Sequence, residues 1–254
     1  MSGRRRLAAR VLGAVAAVFW GWLFYGVQDL LTVFIEGPAF ARHYLVESGW
    51  GLMFLVMVGV PFGALAIRPG RMILVWSLLC AGLALVLGGL LAGSVWQAVP
   101  GLAVTATGVV VGALGGAPSR HAGLHLDPLL IILVCVASPA ALWYARNVAA
   151  DPRAGERTSL WMHGPIQAGV YIAVALVGAL VAFTPPQPGR MLVTLTATLT
   201  TAFLGIESMV FPHIVGTLGT VGGMIAALWS VAFLLLAARK NEHSFARADA
   251  PRPV

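Results

Sequence analysis

The chain has 254 residues, of which 59% are hydrophobic and only 10% charged, and its mean hydropathy is +0.89. A soluble domain carries about 25% charged residues, so this composition excludes a water-exposed globule and predicts an all-α integral membrane protein. The net charge of +7 does not point to nucleic acid, because the basic residues sit in the gaps between apolar runs instead of gathering on one arm or face.

A membrane-spanning helix needs about 20 mainly apolar residues. Eight segments meet that requirement, near 11–35, 49–67, 72–93, 98–116, 128–146, 162–183, 191–210 and 213–238. Arg4, Arg5, Arg6 and Arg10 precede the first in the manner of a signal peptide, but the apolar run continues to Ile35 with no small-residue cleavage site, which predicts a retained span. The fourth is short and rich in glycine. Only Phe211 and Pro212 separate the last two, so they read either as two spans or as one helix broken at the proline.

Placing both termini in the cytoplasm puts Arg4, Arg5, Arg6, Arg10, Arg68, Arg71, Arg120, Arg190, Arg239, Lys240, Arg247 and Arg252 inside, which is 12 of the 16 basic residues. That asymmetry agrees with the positive-inside rule. Lys240 is the one lysine among many arginines, in a chain rich in Ala, Gly and Val. Such a bias is expected of a GC-rich bacterial genome, and it points to the bacterial cytoplasmic membrane.

Short matches recur in chain order. Pro69, Gly70, Arg71 and Met72 enter the third span as Pro188, Gly189, Arg190 and Met191 enter the seventh, and Pro100 with Thr105 parallels Pro212 with Thr217. Trp50 and Trp161 each begin the span before the Pro-Gly-Arg-Met turn. The expectation is two parallel four-helix repeats, 11–116 and 128–238, within a single membrane domain.

Glu207 is the only fully charged residue between Arg190 and Arg239. An ionisable group at membrane depth costs roughly 2.5 to 3.5 kcal/mol on insertion scales and marks a functional candidate. Helical spacing places Tyr25, Asp29, Thr32 and Glu36 on one stripe of the first span, with Gln28 at its edge. It likewise aligns His163, Gln167 and Tyr171 in the sixth, Thr196, Thr200 and Glu207 in the seventh, and His213, Thr217 and Thr220 in the eighth. In the assumed topology Asp29, Glu36, His163, Gln167, Glu207 and His213 all fall in the outer half. Carboxylates and imidazoles so gathered could relay protons or hold a cation, and Gln167 and Tyr171 could orient a bound molecule.

Other chemistries lack their residues. Cys80 and Cys135 stand alone in apolar segments, with no CxxC or Cys-His spacing. His121 and His125 are four apart but lie among Pro118, Gly123 and Pro128, which argues for a loop over a zinc-binding helix. No histidine sits at mid-span for haem, the lone lysine excludes a retinal Schiff base, and neither a phosphate-binding loop nor a nucleophile elbow occurs. No cofactor is therefore expected. Gly108 and Gly112 fit a helix-packing motif, while Trp20, Trp22, Trp96 and Trp143 fit an interfacial aromatic belt.

These residues predict binding or transport of a small polar or lipidic solute through an outward-facing cavity, with the bilayer and the solute as partners. An accessory protein whose polar stripes contact partner membrane proteins is one alternative. A membrane-embedded metalloenzyme using His163, His213 and a carboxylate is another.

Overall fold

The computed structural model describes residues 3–35, 44–96, 98–116, 126–150 and 163–248. No strand occurs among them, and eight helices are long and apolar enough to cross a bilayer. The first crossing is α1 (Gly3–Val18), extended by a π-helical turn over Phe19–Leu23. The short helices α2 (Gly26–Leu30) and α3 (Thr32–Ile35) follow it. The second crossing joins α4 (Tyr44–Gly51), a π-helical stretch over Leu52–Gly59 and α5 (Val60–Ile67). The rest are α6 (Met72–Leu91), α7 (Ala98–Gly115), α8 (Pro128–Ala150), α9 (His163–Phe183), α10 (Arg190–Val210) and α11 (Gly219–Ala248).

The first span differs from the sequence expectation, ending at Leu23 instead of Ile35. The π turn closes with the Phe24 N–H donating to Phe19 O at 2.7 Å, and Tyr25 then enters the left-handed region at φ 64°. That conformation costs a non-glycine residue roughly 1 to 2 kcal/mol. An aromatic cluster holds it: Trp20 stacks on Phe54, Phe24 stacks on Trp50, and the Trp50 indole donates to the Phe24 carbonyl at 2.8 Å. Gly26 fits because a side chain there would meet the carbonyl of Gly21 at 2.8 Å. The chain therefore turns back, and α2 packs on α4. The Tyr25, Asp29, Thr32 and Glu36 stripe does not form on one continuous helix, since turns interrupt it at Tyr25 and again at Leu31. Glu36 itself lies outside the described residues.

The seventh and eighth spans are separate helices joined by residues 211–218. Consequently His213 and Thr217 precede α11, and the stripe expected from His213 through Thr220 is not a helical face.

The crossing made by α4 and α5, together with α6, α9 and α10, forms the buried interior, while α1, α7, α8 and α11 form the more exposed exterior. In chain order the burial runs outer, inner, inner, outer, and then repeats. Lipid tails are as apolar as leucine, so close backbone contact and polar bonds hold such helices together. Glycines supply the contact. A Cβ on Gly101 would lie 2.5 Å from the Gly82 carbonyl oxygen, and one on Gly205 would lie 2.7 Å from that of Gly223. These are the crossings of α6 on α7 and of α10 on α11. Gly88 similarly brings α6 against Gly169 of α9.

Candidate functional site

One end of the bundle carries the N-terminus of α1, and the opposite, far end gathers α2, the start of α4, the start of α9 and the end of α10. Four polar side chains meet at the far end. Ser48 of α4 donates its hydroxyl to Oε1 of Glu207 at 2.9 Å. Gln167 of α9 packs against Gly49, whose missing side chain makes room for the amide. The Gln167 Nε2 donates to the Tyr171 hydroxyl at 3.3 Å, and Tyr171 donates to the Gly216 carbonyl at 2.8 Å. Glu207 is 5% exposed and Gln167 fully buried. Among the described residues, Glu207 Oε2 and Gln167 Oε1 find no hydrogen-bond partner.

The helices position these groups by their own chemistry. Along α10, Thr194, Thr198 and Thr201 return their hydroxyls to carbonyls four residues back, at 2.9 to 3.0 Å, so β-branched polar residues are accommodated inside an apolar bundle. Thr196 bonds the Val193 carbonyl at 2.8 Å. Thr200 breaks the pattern, being buried with an unpartnered Oγ1 on the stripe that leads to Glu207. In the last turn of α10, the Ser208 hydroxyl accepts the Leu218 N–H at 3.1 Å, and Tyr144 donates to the Leu218 carbonyl at 3.1 Å. With Tyr171 on Gly216, these bonds fix the 211–218 connection over the site.

Asp29 lies beyond the end of the first span, half-buried in α2. Burial pushes its carboxyl up to about 7, and the charge of Glu47 adds to the shift. Glu47 is half-buried on α4 beside Ser48, within electrostatic reach of both Asp29 and Glu207. Glu47 is thus within electrostatic reach of each of the other two carboxylates, an arrangement suited to taking up a proton.

Of the residues singled out in the sequence, the fold brings Glu207, Gln167 and Tyr171 together and sets Asp29 close by. His213 is exposed on the connection between α10 and α11. His163 opens α9, and its side chain falls outside the described residues, as do His121 and His125 entirely. Ser48 and Glu47 escaped notice because the second helix begins at Tyr44, five residues before the apolar run proper. Among the described residues, no three His, Cys, Asp or Glu side chains group so as to hold a metal ion.

A second polar cluster, equally unforeseen, sits at the opposite end. Arg190 is fully buried, and its Nε and Nη2 donate to the Val181 carbonyl at 3.2 and 2.9 Å. Asp127 donates its N–H to the Ala182 carbonyl at 3.3 Å and accepts the Leu130 N–H on Oδ1 at 3.4 Å, while Lys240 approaches its Oδ2 at 3.5 Å. Helix ends leave carbonyls unbonded, and here those of α9 are met by Asp127, just before α8, and by Arg190 at the start of α10.

Two cavities accompany these clusters. One of about 520 Å³ is an open groove along α6 and α9, beside Trp76 and Cys80. The other, about 320 Å³, is a crevice between α8 and α11 floored by Tyr171, Thr201 and Leu204. Comparison with known proteins adds nothing to this geometry: no family model, no curated protein and no solved structure matches the chain.

Proposed function

We propose that the protein binds or moves a small polar or lipidic solute at the far end of its bundle, with Glu207 and Asp29 as the proton- or cation-handling groups. The observation that carries this reading is the pair of buried acceptors inside the inner helices, Glu207 Oε2 and Gln167 Oε1, which have no hydrogen-bond partner among the described residues. A buried acceptor without a partner costs about 1 to 3 kcal/mol, which a bound donor would recover. Tyr171 and Gln167 orient the solute, and His163 and His213 tune the carboxylates or bind the solute. Burial of Glu207 within the bundle favours this role over that of an accessory protein, whose polar groups would face lipid. The distribution of basic residues supports cytoplasmic termini, an outward-facing site and residence in a bacterial cytoplasmic membrane.

A duplicated architecture underlies the site in this proposal. The burial order repeats, the two Pro-Gly-Arg-Met turns share left-handed glycines at φ 94° for Gly70 and 98° for Gly189, and each half contains a reciprocal glycine crossing. On superposition, residues 11–116 should overlay residues 128–238 helix for helix. A failure to overlay removes the duplication.

The functional test is proton flux into liposomes containing the purified protein and a trapped pH dye. The wild type should dissipate an imposed pH gradient faster than Glu207→Gln, and equal rates would remove the carboxylate from the mechanism.

A further inference from the structure

The crevice between α8 and α11 opens toward lipid and ends beside the polar site. Its rim residues Val136 and Ile225 are 70% and 61% exposed on the outer surface of the bundle. Ala137, Ala141 and Ala226 on its walls are small and leave the space between them unfilled. Where α1 and α7 pack closely in the first half, α8 and α11 of the second half leave this gap.

Three observations tie the gap to Glu207. Leu204 on its floor lies three residues before Glu207 on α10, which puts the two on neighbouring positions of one face. Tyr171 forms a partition, since its ring lines the crevice while its hydroxyl accepts from Gln167. The groups beyond that partition are acceptors, Glu207 Oε2 and Gln167 Oε1, with the carboxylate of Glu47 within electrostatic reach of Glu207. Apolar walls open to the bilayer fit a hydrocarbon chain. Acceptors at the inner end fit a head group that donates hydrogen bonds and carries positive charge. The volume of about 320 Å³ is near the small end of ligand pockets, which fits one chain better than two.

We infer that the crevice admits a single-chain amphiphile from the bilayer, its hydrocarbon tail between α8 and α11 and its ammonium head drawn past Tyr171 to Glu207. This rests on the reading of Glu207 as a cation-handling group and extends it to a substrate class and a lateral route of entry. The partition by Tyr171 makes that side chain the point where the route opens.

The test uses the full chain in lipid nanodiscs with two photoreactive probes, a long-chain primary amine and the carboxylic acid of the same length, each bearing a diazirine in its tail. Peptide mapping should find the amine attached to crevice residues of α8 and α11 about tenfold more than the acid, the ratio of one favourable charge contact. Glu207→Gln should bring the amine down to the level of the acid. Filling the crevice by Ala141→Phe, or independently by Ala137→Trp, should abolish labelling there by both probes, with melting curves showing that the variants fold. Equal labelling by amine and acid, or amine labelling indifferent to Glu207→Gln, overturns the inference and leaves ordinary bilayer chains in the gap. If Glu207→Gln slows proton flux but leaves amine labelling unchanged, the inference fails while the proposed function stands. Glu207-dependent labelling with unchanged proton flux upholds the inference and removes the proton role.

Discussion

The hydroxyl of Ser48 and the carboxylate of Glu207, 159 residues apart in sequence, meet at 2.9 Å inside the bundle. This bond joins α4 to α10, and among the described residues the other carboxylate oxygen has no hydrogen-bond partner. Ser48→Ala strips Glu207 of the one side-chain donor it has among the described residues and should lower stability by about 1 to 3 kcal/mol. Glu207→Leu combined with Ser48→Ala removes both ends of the bond and should be less harmful than Ser48→Ala predicts by simple addition. Thermal unfolding of the two single variants and the double variant in one detergent measures the coupling.

Asp29 should make stability depend on pH. Its carboxyl rises from an ordinary 3.8 to about 7 in the fold, chiefly through burial and then through Glu47. The folded state thus holds the proton more tightly than the unfolded state, and ionisation opposes folding. The linkage relation makes stability fall as pH climbs from about 4 through 7. Melting temperatures at pH 5 and pH 8 should show the decline in the wild type and a smaller one in Asp29→Asn.

Arg190 should prove structural. Its guanidinium spans two nitrogens on the Val181 carbonyl, and hydrogen bonds to charged groups contribute about 1.5 to 3 kcal/mol each. Arg190→Met should therefore lose at least about 1.5 kcal/mol of stability. Proton flux per folded molecule should be unchanged, because the cluster lies at the other end of the bundle from Glu207. A flux defect in folded Arg190→Met would join the two ends functionally.

Much of this architecture is legible in the sequence, because hydropathy and the Pro-Gly-Arg punctuation are local signals. The starts expected at residues 72, 98 and 128 coincide with those of α6, α7 and α8. The failures come from non-local causes. Tyr25 breaks the first span with neither a proline nor a charge at the break, since what stabilises it is an aromatic cluster completed by Trp50 and Phe54 from the next crossing. Glu47 and Ser48 lower the local hydropathy and so hid the true start of α4. Spacing put Thr196, Thr200 and Glu207 on one face, and all three are buried. Spacing could not reveal that the seryl donor comes from a helix 159 residues away. Arg190 resembled a solvated loop charge because nothing near it in sequence announces the Val181 carbonyl that receives it.

The crossing of α10 and α11 at Gly205 and Gly223 bears on how the molecule could move. Backbone touches backbone there, so sliding one helix along the other would drive carbonyls into Cα atoms, whereas pivoting about the contact disturbs little. The contact lies two residues from Glu207 and next to Leu204 and Gly222 at the edge of the crevice. It is placed as a fulcrum: a small tilt of α11 about it would act as a lever on the gap beside α8 while leaving the Glu207 end of α10 where Ser48 holds it.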